Sequence, residues 1–184
     1  MMAKSKTRSR ASRPSTKKPV KGKSAANSDK LVRIQIAEFI GTSHAHVSWK
    51  HALAGIPADV RGVKPAGSPY SLWQLLEHLR LAQWDILEFT RDSKHVSPGW
   101  PTGYWPSSEA PPSEKDWDKS LRDFEHDLND MKDLVLDPKT DLHARIPHGT
   151  GQTVLREALL VADHNAYHLG EIVLLRRLLG AWKA

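Results

Sequence analysis

The sequence predicts an all-α fold, a four-helix bundle with a long crossover between its second and third helices. Three observations carry this expectation. Four stretches place apolar residues at mixed spacings of three and four, no stretch alternates in the period-two manner of a half-buried strand, and the segment VSPGWPTGYWPSSEAPPS is too rich in proline to be either.

The first helix is expected from about Ser28, through LVRIQIAEFIGTSHAHVSWKHAL toward Ala54, with Pro57 ending it. A Gly/Pro-rich linker follows, and a second helix runs from Ser71 to about Arg91 with Ser68 or Ser71 as its N-cap. Its inward stripe is Leu75, His78, Ala82, Ile86 and Phe89. After the crossover, a third helix from about Ser113 to Val135 presents Trp117, Leu121, Phe124, Leu128 and Met131 inward and acids outward. The fourth runs from about Thr153 to Leu179 and stops at Gly180, a residue suited to a left-handed C-cap.

Charge divides the 184-residue chain in two. Residues 1 to 28 hold nine of the 27 Lys/Arg and none of the 21 Asp/Glu; the remainder, with 18 basic and 21 acidic residues, is net −3 beneath an overall +6. Residues 1–27 therefore read as a disordered basic tail with too little apolar surface to offset ordering, and residues 28–184 as one bundle domain. The tail is a solubilising extension, a transit-type segment, or a tether for nucleic acid or another polyanion. No apolar run approaches the ~20 residues that cross a bilayer, so no membrane partner is expected. The lack of an apolar leader core and of any cysteine fits a cytoplasmic protein. Without cysteine, disulfides and thiolate metal sites are excluded, leaving imidazole, carboxylate or water as metal ligands.

His164 and His168 in VADHNAYHLGEIVLLRRLL are one helical turn apart, which stacks both imidazoles on one face. The inward stripe of the fourth helix is Leu160, His164, His168 and Leu175, so these two rings and His78 all face the core. Three buried imidazoles need a shared ligand or a dense hydrogen-bond network. A lone core histidine is otherwise explained by one satisfied hydrogen bond. Asp85, two turns after His78, and Glu171, one turn after His168, lie on suitable faces for a general base or for an orienting role. His44 and His46 could reach the same cavity, and His148 its mouth. His51, His95, His126 and His143 fit exposed positions. Trp100, Tyr104 and Trp105 form an aromatic wall over the site or simply anchor the crossover. Asp163 and Asn165 flank His164 for surface contacts or ring orientation.

The segments GSPYSLWQLLEHLRLAQWDILEF and LREALLVADHNAYHLGEIVLLRRLLG resemble the second and fourth helices of the DinB/YfiT-like superfamily of metal-dependent bundles, a likeness covering roughly residues 29 to 182. It implies one divalent ion, nickel or zinc, held by His78, His164 and His168. Glu171 stands where the family pattern often has Gln. The resemblance further implies a metal-dependent hydrolase or thiol-dependent transferase acting on a small molecule, and a homodimer packed through helix faces, for which Trp73, Trp84 and Trp182 are candidates. The contrasting reading is a non-catalytic, stress-associated binding or scaffold protein whose basic tail grips a polyanion.

Overall fold

A computed structural model describes residues 21–41 and 45–182, without the side chains of residues 21–25. Regular structure among them is helical: α1 (Lys21–Gly41), α2 (Trp49–Leu53), α3 (Leu72–Arg91), α4 (Glu114–Leu136) and α5 (Val154–Leu178). Two 3-10 turns, at Ala58–Val60 and Thr102–Tyr104, and one isolated bridge between Arg145 and Thr153 complete it. No helix of the described residues is long and apolar enough to cross a membrane.

The expected unbroken first helix is corrected. α1 begins at Lys21 and stops at Gly41, and α2 is a separate short helix from Trp49. The cause is local: Gly41 is a weak helix former, and the Ser48 side chain accepts a hydrogen bond from the His51 N–H as a fresh N-cap. Residues 1–20, and with them most of the expected tail, lie outside the described residues, as does His44.

α3 packs along α4 and α5, and α1 along the same two, so the four long helices share one interior. That interior has two apolar halves. One gathers Leu72, Leu75, Leu76 and Leu79 of α3 with Phe124 of α4 and Leu169, Ile172 and Leu175 of α5. The other gathers Ile36 and Ile40 of α1 with Leu87, Leu128, Met131, Val135 and Val161. Between them lies a polar layer. Gln83, fully buried, donates to the Phe124 carbonyl at 2.8 Å and accepts from Asn165 Nδ2 at 2.7 Å. Gln83 falls between Leu79 and Leu87, and Asn165 between Val161 and Leu169, so the amides stand at the same level as His78, Ala82, His164 and His168 one helix face away.

Buried arginines close the helix ends. Arg33 donates to the carbonyl of Val135 in the last turn of α4 and to those of Asp137 and Thr140 just past it, and Arg176 to those of His51 and Ala52 at the end of α2. Both satisfy carbonyls that a helix terminus leaves unpaired.

α3 opens with a reciprocal cap: Ser71 Oγ accepts from Gln74 N, and Gln74 Oε1 accepts from Ser71 N. The same Ser71 hydroxyl donates to the Glu109 carbonyl, and Trp73 Nε1 to Ser108 Oγ, which pulls residues 92–113 back over α3. Ser71→Ala should therefore lower stability by roughly 1–2 kcal/mol in a urea titration. An unchanged midpoint would show that neither the cap nor the tether contributes.

The remaining helix boundaries follow the sequence closely. Ser113 and Thr153 are the N-caps of α4 and α5, and Gly180 has φ +66° just past α5.

Candidate metal centre

His78 on α3 and His164 and His168 on α5 meet beside the polar layer, with one ligand nitrogen from each lying within 4.8 Å of the others. His78 Nε2 is 3.1 Å from His164 Nε2, and the three ring centroids are 4.6 to 5.0 Å apart. His78 and His168 are buried, and His164 is half-buried.

Two of the rings are fixed from behind. The Tyr104 carbonyl accepts from His78 Nδ1 at 2.9 Å, and the Glu171 carboxylate accepts from His168 Nδ1 at 2.6 Å. A carbonyl can only accept, so the proton of His78 sits on Nδ1 and its Nε2 lone pair faces the other two rings; the Glu171 bond does the same for His168. Trp105 stacks on His78 at 3.9 Å with an interplanar angle of 1°, and Tyr70 stacks on Trp105 at 4.0 Å.

The DinB superfamily pattern matches residues 44–172, a stretch that contains all three histidines and the segment between them. The chain belongs to the DinB superfamily. No curated protein and no solved structure matches it.

In this DinB superfamily protein, electrostatics keep the three imidazoles neutral. Burial lowers the pKa of His164 to about 4, helped by the neighbouring His168 and His78, and burial together with His78 lowers that of His168 to about 4. His78 is also lowered by burial, against the raising effect of its bond to Tyr104. Burial pushes the Glu171 carboxyl up, with His78 opposing.

A neutral three-imidazole set fits a borderline divalent cation. A second observation agrees: His164 Nδ1 is one of two buried side-chain atoms among the described residues, with Asn165 Oδ1, that have no hydrogen-bond partner. His78 Nε2 and His168 Nε2 carry no proton, and the His164 ring, whose Nε2 lies 3.1 Å from His78 Nε2, brings only one, so the cluster has more nitrogen lone pairs than protons to share between them.

A cavity of about 670 Å³ opens on one side of the histidines. Trp100, Tyr104 and Trp105 all line it, so the expected aromatic wall is present, with Trp100 77% exposed at its edge. Asp85 lines it too. Its carboxylate accepts from Tyr104 Oη at 2.6 Å and from His95 Nε2 at 2.7 Å. Burial and these Asp85 contacts raise the Tyr104 hydroxyl pKa to about 12. Glu171 is absent from the cavity lining and stands behind His168.

Several sequence expectations change here. His95 is corrected from exposed to half-buried, with only 8% of its side chain accessible, because the crossover turns it onto Asp85 against the Trp84 ring. Trp73 is corrected as a dimer-surface candidate, being 4% exposed within the core. Trp84 and Trp182 are half-buried, the latter stacked on His51. His46 borders a separate recess between α1 and α5, and His148 bonds the Phe89 carbonyl without lining the histidine cavity. Asp163 lines the cavity rim, whereas Asn165 turns to Gln83.

What the sequence does not show is the crossover's backbone contribution and the ring that Trp105 covers. The Tyr104 carbonyl orients His78, and a backbone carbonyl has no sequence signal. Trp105 was visible only as an aromatic in a proline-rich segment, with no periodicity to assign it a partner.

Proposed function

We infer that this chain holds one divalent ion, zinc or nickel, through His78, His164 and His168, and acts as a metal-dependent enzyme on a small molecule seated in the adjoining cavity. The four long helices serve as a four-helix bundle, and residues 92–113 as the crossover that closes one side of the site. The observation that carries this reading is the convergence of three neutral imidazoles, two of which, His78 and His168, have their outer nitrogens committed to Tyr104 and Glu171.

A bound cation supplies Lewis acidity, lowering the pKa of a water or polarising a substrate oxygen. The chain supplies the rest. Glu171, although a candidate base by sequence, holds the Nδ1 proton of His168 and so orients that ring. Asp85 is the carboxylate on the cavity wall, and with both oxygens engaged it passes protons to and from the cavity through the Tyr104 hydroxyl or His95. Trp105 keeps bulk water off the His78 face.

The direct test is metal uptake by untagged protein. Equilibrium dialysis against zinc or nickel should load about one ion per chain, the stoichiometry of a single three-histidine site. Failure to retain either metal at micromolar concentration rejects the reading.

A further inference from the structure

The cavity beside the histidines has walls of one chemical kind. Its lining is dominated by Trp100, Tyr104, Trp105, Tyr167, Ile86 and Leu160, and its volume of about 670 Å³ suits a drug-sized or smaller molecule. The charged side chains on it are Asp85 and Asp163; no lysine or arginine is among the lining residues. The cation beside the neighbouring recess, Arg156, is already bonded to Glu157 at 2.8 Å. Trp100 and Tyr167 are 77% and 66% exposed at this cavity, a large aromatic surface left to solvent.

We propose that the cavity selects a small molecule with an apolar or aromatic body that is neutral or cationic away from its reacting end, and rejects bodies carrying carboxylate, sulfonate or phosphate. This rests on the function proposed above, since it names the substrate class of that same site. A divalent ion on the three histidines adds positive charge at one point only, so it can satisfy a single anionic group at the reacting end. A second anionic group finds no guanidinium or ammonium to pair with and faces Asp85 or Asp163 instead. A cationic body finds aromatic faces and those same carboxylates. The charge pattern also separates the two reaction classes that the family resemblance left open. A peptide thiol bearing several free carboxylates lacks partners here, whereas a neutral ester, amide or amine fits.

Two fluorescent probes with one ring skeleton test this: neutral N-phenylnaphthylamine, and anilinonaphthalene sulfonate, which adds a single anionic group. Titrated into the metal-free full chain at about 0.15 M salt, where exposed charges are screened beyond roughly 8 Å, the neutral probe should bind more tightly by about tenfold or more; with metal bound, the single sulfonate has a partner and the preference should narrow. Trp100→Ala should weaken the neutral probe several-fold. Asp163→Lys should shrink the preference to about threefold or less. Equal or tighter binding of the sulfonate, a preference untouched by Asp163→Lys, or no binding of either probe overturns the proposal. Metal uptake is measured on the same samples, and the probes are titrated with and without metal. Normal metal loading with failed probe selectivity sinks the substrate class alone, and absent loading with intact selectivity sinks the metal reading alone.

Discussion

Replacing His168 with alanine is expected to remove stoichiometric zinc or nickel binding while leaving helical content unchanged. The ring lies on α5 with His164 and His78 close on either side, so deleting it leaves two imidazoles and no third nitrogen. Glu171→Gln should have a graded effect. It keeps the shape but replaces the carboxylate that accepts from His168 Nδ1, and loss of such an orienting partner typically costs about 10–100-fold in metal affinity. The expected order is therefore wild type, then Glu171→Gln, then His168→Ala, read by competition with a chromophoric chelator. His126→Ala, at a side chain 68% exposed, is the control and should bind normally. Unaltered metal content in His168→Ala would reject the triad.

The metal-free protein should lose stability as pH falls from about 6.5 toward 4. His164 and His168 have folded-state pKa values of about 4, below the ordinary 6.5, so between those values the unfolded chain binds more protons than the folded one. Protons then favour unfolding. Stability from these groups is complete above the unfolded value, declines through the interval and levels off below the folded value. At about 1.4 kcal/mol per pKa unit each ring withdraws at most about 3 kcal/mol, and because part of the His164 shift comes from His168 itself and His164 is only half-buried, screening reduces the sum to a few kcal/mol, or roughly 5–10 °C of melting temperature in a domain of this size. Asp127 and Glu171, whose carboxyls burial pushes up, act in the opposite sense over the lower part of the interval. The decisive comparison is thus with His164→Leu, which removes one of the two imidazoles and should show a flatter decline. Parallel pH profiles for the two proteins would show that these rings do not carry the dependence.

Much of the fold was legible because helix signals are local. Ser71, Ser113 and Thr153 cap the helices that their sequence positions predict, and the stripe Leu75, His78, Ala82 is buried as a 3.6-residue period requires. The break between α1 and α2 was missed because apolar spacing continues across Gly41 to Trp49 even though the backbone does not. Periodicity reports which residues seek the core, and it is silent on whether one helix or two deliver them. His95 illustrates the same gap. Its neighbours are polar and proline-rich, and its contacts with Asp85 and Trp84, about ten residues earlier, are what shelter its side chain.

The order of the four long helices, the caps of α3, α4 and α5, the absence of thiolate ligands and the one-turn spacing of His164 and His168 were determined by the sequence alone, since each depends on residues within a few positions of one another. Tertiary structure decided which groups meet across the chain. His78 joins a pair 86 residues away, the Tyr104 carbonyl and the Trp105 ring cover it, and Asp85 shares its oxygens between Tyr104 and His95. Those meetings arise from chain closure and packing of whole helices against the crossover, and no local pattern of side chains encodes them.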